Sequence, residues 1–174
     1  MWTSSSSHYT GGQAPGTAWE QEAAGAGRRG THRIVEAGLV PAPMRVASLL
    51  GIPSGSPVVV RRRAVHLDDA PVELTDSYLR GDVAADTALA LPAKVKGGVA
   101  GVLRELGIET PCVVEEVESR PPTTPERTAL DLADGVWVLV VYRTYATDAG
   151  EPIWVDVMVA SALHQRLRYE MRTG

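Results

Sequence analysis

The stretch 57-PVVVRRRAVHLDDAPVELTDSY-78 decides the reading of the whole chain. Residues 58–67 and 71–78 are rich in β-branched and other strand-favouring side chains, and Asp68-Asp69-Ala70 between them is turn chemistry. The stretch therefore predicts a β-hairpin. Three consecutive arginines sit in the middle of its first strand. Side chains alternate across a strand, so Arg61, Arg63 and Val65 share one face while Arg62, Ala64 and His66 share the other. The triplet thus poses a specific question: which guanidinium groups face inward, and what they hold.

On the N-terminal side of the hairpin, residues 1–16 are rich in Ser, Gly and Thr with little to bury, and read as a mobile tail. Residues 18–24 suit a short helix stopped by Gly25 and Gly27. Residues 32–39 suit a strand, and Pro43 the first position of a helix through Leu50 with Val46, Leu49 and Leu50 on one face. Past the hairpin, 82–91 is weakly helical and 92-PAKVKGG-98 is a loop. Residues 98–106 form an amphipathic helix, with Val99, Val102, Leu103 and Leu106 at helical spacing. Residues 112–120 read as a strand. Thr123 and Glu126 stand at capping-box spacing ahead of a helix over 125–132. Strands 136–147 and 153–159 flank the turn 148-DAGEP-152, and 165–172 is a last strand. Strands joined by short turns break the regular alternation with helices that a doubly wound sheet needs. The expected fold class is α+β: a mostly antiparallel six-stranded sheet with interspersed helices.

Composition narrows the function classes. The chain has 174 residues, 44% hydrophobic and 22% charged, which suits one soluble domain with a real core. It contains no apolar run of ~18 residues, and its start lacks the basic and apolar regions of a secretory signal, so a cytoplasmic protein without membrane contact is expected. Cys112 is the single cysteine, which leaves no internal disulfide and no multi-cysteine metal motif. His8, His32, His66 and His164 show no metal-ligand spacing, and no cofactor is expected. Ser77 lacks a Gly-x-Ser-x-Gly context, and no catalytic constellation stands out. Net charge is −4, and only two of the 17 basic residues are lysines, Lys94 and Lys96. That balance argues against direct DNA binding by this chain alone, because such affinity needs a dense basic face.

Arg61-Arg62-Arg63, then Asp68-Asp69-Ala70-Pro71-Val72-Glu73-Leu74, then Asp76-Ser77-Tyr78-Leu79, resembles the first hairpin of the UTRA domain. This is the effector-sensing half of GntR-type transcription regulators of the HutC subfamily. In matching order, 97-GGVAGVLRELG-107 resembles the family's central helix and 115-EEVESRPPTTPERTALDL-132 the strand and helix after it. The closing hairpin and last strand are matched by 148-DAGEPIWVDVMV-159 and 166-RLRYEM-171. Even 17-TAWEQEA-23 and 41-PAPMRVASLLGI-52 are similar to its linker and first segment. The resemblance covers residues 17–172 and implies a chorismate lyase-like fold with a small-molecule pocket between sheet and loops. Family members usually carry a winged helix-turn-helix in front; residues 1–30 are too short and too Gly/Ser-rich to hold one.

The resemblance also implies site residues. Arg63 matches an arginine that contacts the effector's acid group; the second such arginine usually falls where this chain has Val65, and Arg61, on the same face, could substitute. A guanidinium fork holding phosphate or carboxylate is one reading. Cross-strand pairing to Glu73 or Asp76 is the other. Lys94, Lys96, Gly97 and Gly98 match the loop that closes over the effector, and the junction of that loop with a helix is anion-binding chemistry on its own terms. Thr75 and Trp154 stand where the family often has acidic residues, which argues against an amino-sugar phosphate and for a flatter or more apolar effector. Asp156, Tyr78 and Arg120 complete the candidate set. The expected protein is an effector-binding domain for a small anionic metabolite, forming a homodimer through its sheet and regulating through a partner. The alternatives are an enzyme on the same fold acting on a cyclic carboxylate, with Asp156, Glu73 or His66 handling protons, and a remnant that only dimerises.

Overall fold

Asp68 and Asp69 take φ angles of 50° and 69°. Both central residues of a two-residue loop are therefore left-handed, as a type I′ turn requires, and its twist matches that of the flanking strands. The turn joins β3 (Pro57–Leu67) to β4 (Ala70–Arg80). Arg28 and the Arg29 backbone N–H both donate to the Asp68 carboxylate, tying the turn to the segment before β2. The computed structural model describes residues 2–5 and 15–169 of the chain.

The remaining elements, in chain order, are β1 (Trp2–Ser5), α1 (Pro15–Gly25), β2 (Gly30–Pro41) and α2 (Met44–Leu50) before the hairpin. After it come α3 (Gly81–Ala84), a 3-10 turn (Ala88–Ala90), α4 (Gly98–Glu105), β5 (Cys112–Arg120) and α5 (Thr124–Ala129). The chain continues through β6 (Val138–Ala146) and β7 (Pro152–Ser161) to β8 (Gln165–Arg168). Six strands form one sheet in the order β2-β3-β4-β7-β6-β5, with every neighbouring pair antiparallel. The expected α+β class and six-stranded antiparallel sheet are what the chain adopts.

Two expectations are corrected at the ends. Within the segment read as a tail, Trp2–Ser5 pair in parallel with Gln165–Arg168, and α1 begins at Pro15. Backbone pairing needs no apolar side chains, so composition did not reveal it. The last strand belongs to that small second sheet, and its expected extension to residue 172 lies outside the described residues, as do 6–14. The weakly helical 82–91 divides into α3 and the 3-10 turn, which Thr87 caps by accepting from the Leu89 N–H.

Side-chain alternation gives the sheet two unlike faces. On one, Val58, Val60, Tyr78 and Val155 pack under α2, and Val138, Val140 and Val159 pack with Leu130 just past α5. On the other, Val59, Leu79, Tyr145 and Trp154 meet Val99, Val102 and Leu103 of α4, with Leu89 of the 3-10 turn filling between. Farther along that second face, Trp19 and Ala23 of α1 cover Leu67. A gap remains over β3, β4 and β7, between α1 and the loop that leads into α4.

Candidate functional site

That gap is a cavity of about 350 Å³. Its floor includes Arg61, Ser77 and Asp156, part of one row of residues that runs on across the sheet to Arg143. Arg61 pairs with Ser77 in the β3–β4 register, Ser77 with Asp156 between β4 and β7, and Asp156 with Arg143 between β7 and β6. All four are at most 5% exposed. Buried charges need partners, and Ser77 and Glu115 supply those of Asp156 and Arg143. Ser77 Oγ donates to Asp156 Oδ1, and Arg143 Nε donates to Glu115. Burial first, then the Asp156 charge, push the Tyr145 hydroxyl up, so it stays protonated at neutral pH.

The arginine triplet divides three ways. Arg62 lies on the other face and pairs with Glu36 and Asp76. Arg61 faces inward and lines the cavity, but its guanidinium holds the chain above it. Nη1 donates to the carbonyls of Leu89 and Leu91 at 2.7 and 2.8 Å, and Nη2 to that of Ala93 at 2.8 Å. Arg63 is the arginine left with capacity. Nη2 donates to Ser77 Oγ at 2.9 Å and stands 3.9 Å from Asp156 Oδ1, while Nε is buried with no hydrogen-bond partner.

Two more buried polar atoms on this cavity lack a partner: Trp154 Nε1 and His32 Nδ1. The only other such atom among the described residues, Arg62 Nε, lies 3.3 Å from Asp76 Oδ2. A buried N–H left unpaired costs ~1–3 kcal/mol, and native structures keep few of them. Here they cluster around one hole. Trp154 is itself a core residue, stacked on Tyr145 with centroids 3.6 Å apart, so its ring is fixed while its N–H remains free.

The wall opposite the floor is the expected loop. Lys94, Lys96, Gly97 and Gly98 all line the cavity. Gly97 caps α4 with φ 74°, and a Cβ there would sit 3.1 Å from the Gly101 Cα, so the tight entry into the helix excludes a side chain. The Gly98 N–H donates to the Val95 carbonyl at 3.0 Å, the N–H groups of Val99 and Ala100 have no intrahelical acceptors, and the positive end of the α4 dipole adds to the lysines. Four cationic side chains line the cavity, against Glu20 and Asp156.

Three predicted residues lie elsewhere. Tyr78 is on the opposite face, within the cluster under α2, and donates to Asp76 Oδ2 at 3.1 Å. Its odd spacing from Thr75 already required this, since three residues along a strand reverse the face. Arg120 is at the end of β5 and makes a two-pronged pair with Glu126, the N3 residue of the α5 capping box. Thr75 has the right face but sits past the cavity, donating to Glu73 Oε1 at 2.7 Å; Glu73 also accepts from Gln165. Glu73 and His66, named for proton transfer, do not line the cavity either. Sequence reasoning missed Glu20 and His32. Each depends on how α1 and β2 pack against β3, which no local pattern encodes.

The model of the UTRA domain family matches residues 25–162. The chain is 31% identical over 136 residues to an uncharacterized HTH-type transcriptional regulator of Streptomyces coelicolor, covering 76% of this chain and 51% of that protein. It is 33% identical over 119 residues to an HTH-type transcriptional regulator of Mycobacterium tuberculosis, covering 67% and 43%. The chain thus spans about half the length of the curated relatives it matches. A crystal structure assigned to the GntR family of transcriptional regulators aligns with a TM-score of 0.78 at 26% identity, over 89% of this chain and 64% of that one. The effector domain of PhnF from Mycobacterium smegmatis aligns with a TM-score of 0.73 over 89% and 94%; at 17% identity that likeness concerns the fold alone.

Proposed function

Given that the chain belongs to the UTRA domain family, the effector-binding domains of GntR-family transcription regulators, we propose that its cavity binds a small anionic metabolite, a phosphate or carboxylate. Occupancy would be passed to a DNA-binding module, in a regulator of the HutC type that works as a homodimer in the cytoplasm. The observation that carries the reading is the cluster of unpartnered buried polar atoms, Arg63 Nε, Trp154 Nε1 and His32 Nδ1, around a cavity with an excess of cations. An acid group placed there gives the Arg63 and Trp154 N–H groups the acceptor they lack, and charge-assisted hydrogen bonds are the strong kind. Asp156 and Ser77 on the same floor favour a ligand that carries a hydroxyl or amine away from its acid group. Among the described residues no helix is long and apolar enough to cross a membrane.

The coupling route follows from Arg61. The guanidinium that lines the cavity also holds three carbonyls of the 89–93 segment, directly before the loop that leads into α4. A ligand that draws on Arg61 shifts that segment, and with it the docking of α4 on the sheet. Thermal-shift screening with inorganic phosphate, sulfate, sugar phosphates and aromatic or dicarboxylic acids tests the reading. At 100 times its Kd a ligand adds about 2.7 kcal/mol, which for a domain of this size raises Tm by roughly 5–10 °C. Arg63→Ala should abolish the shift. If no anion stabilises the protein, or Arg63→Ala responds as the unmodified chain does, the cavity is not an anion site.

A further inference from the structure

We propose that His32 is a direct contact of the bound acid group and takes up a proton when that group enters the cavity; this rests on the cavity being an anion site. His32 stands on β2 opposite Val65, with its side chain 17% exposed and its Nδ1 buried without a hydrogen-bond partner. The carboxylate facing it from α1, Glu20 Oε1, is 3.9 Å away, beyond hydrogen-bond reach. The cations facing it are Arg63 from β3 and Lys94 from the loop, with Arg61, Lys96 and Asp156 lining the same cavity. Burial, then the charges of Arg63 and Lys94, hold the ring's pKa below its ordinary value, and Glu20 opposes them. With no anion beside it, His32 is therefore neutral at neutral pH.

An entering anion reverses both causes. It offsets the charges of Arg63 and Lys94, and it offers the acceptor that an Nδ1–H requires. Binding and protonation then favour each other by the same factor. The sign is fixed by which pKa is higher. The bound-state value exceeds the free-state value, so affinity rises as pH falls through the bound-state value and levels off below the free-state one. Each unit of difference is worth about tenfold in affinity. Glu20 offers the ring a competing negative charge and repels the same anion, so Glu20→Gln should bind more tightly.

Sulfate is the probe, because it remains a dianion from pH 5.5 to 8. Calorimetric titration of the whole chain should show it binding about tenfold tighter at pH 5.5 than at pH 8. His32→Gln should flatten the profile, and the His32 ring resonances should titrate at higher pH with sulfate than without. If sulfate binds equally at both pH values while Arg63→Ala abolishes binding, the His32 inference is overturned and the anion site stands. A pH profile that survives in His32→Gln also overturns it. Absence of saturable sulfate binding at every pH removes both.

Discussion

Arg61 and Arg63 share a strand face, yet the structure gives them very unequal weight in stability. Arg61→Ala deletes three charge-assisted hydrogen bonds to the carbonyls of Leu89, Leu91 and Ala93 and the packing of a side chain that is 5% exposed. Such bonds are worth ~1.5–3 kcal/mol each, but they are not additive. The Leu91 and Ala93 carbonyls, at part-buried contacts, can regain water, so a loss of about 3–4 kcal/mol is expected. With a urea m-value of ~2 kcal/mol per M, the midpoint falls by about 1.5–2 M with the slope unchanged. Arg61→Lys should fall between, since one ammonium cannot span three carbonyls as a planar fork does. Arg63→Ala loses one bond to Ser77 and a 3.9 Å ion pair with the buried Asp156 while removing the unpartnered Nε, so it should cost about 1–2 kcal/mol. Equilibrium urea unfolding of the three variants decides the matter. If Arg61→Ala unfolds within 1 kcal/mol of the unmodified chain, or Arg63→Ala is the more damaging change, the assigned division of labour is wrong.

The Arg120–Glu126 pair should show itself in the pH dependence of stability. Arg120, more than any other cause, holds the Glu126 pKa down at about 2. A depressed carboxylate contributes stability above its unfolded value near 4.5 and loses it as pH falls toward 2. Glu126→Gln should cost about 1 kcal/mol at pH 7 and well under half of that at pH 2, as read from paired urea midpoints. At Gly30 a Cβ would lie 2.7 Å from Trp19 Nε1 and 2.8 Å from the Ala23 Cβ. Gly30→Ala should therefore undock α1, costing about 1–3 kcal/mol, with faster amide exchange in α1 and little change in β6 and β7.

What could be read from the sequence follows the range of the forces involved. The hairpin was legible because Asp68-Asp69 and strand alternation act over a few residues, and the same alternation put Arg63 inward and Arg62 outward. The α5 cap was legible because Thr123 and Glu126 are three residues apart. The use made of Arg61 was not, because its three carbonyls lie 28–32 residues away and converge only when the 3-10 turn folds over β3. His32 and Glu20 escaped for the same reason. Arg120 misled because a strand-end arginine offers no local sign that Glu126 will take both its prongs. Tyr78 is different. The period-two rule had already sent it to the other face.

Arg63 Nε and Trp154 Nε1, buried without hydrogen-bond partners, are the donors that the proposed anion would engage. The most direct test follows their side-chain N–H resonances by NMR as inorganic phosphate is titrated into the ¹⁵N-labelled chain. Both should move, saturably and with one shared Kd, while the Nε–H of Arg120, a guanidinium committed to Glu126 through Nη1 and Nη2 and outside the cavity, stays in place. Resonances of Arg63 and Trp154 that do not move, or that move no more than that of Arg120, would contradict the account.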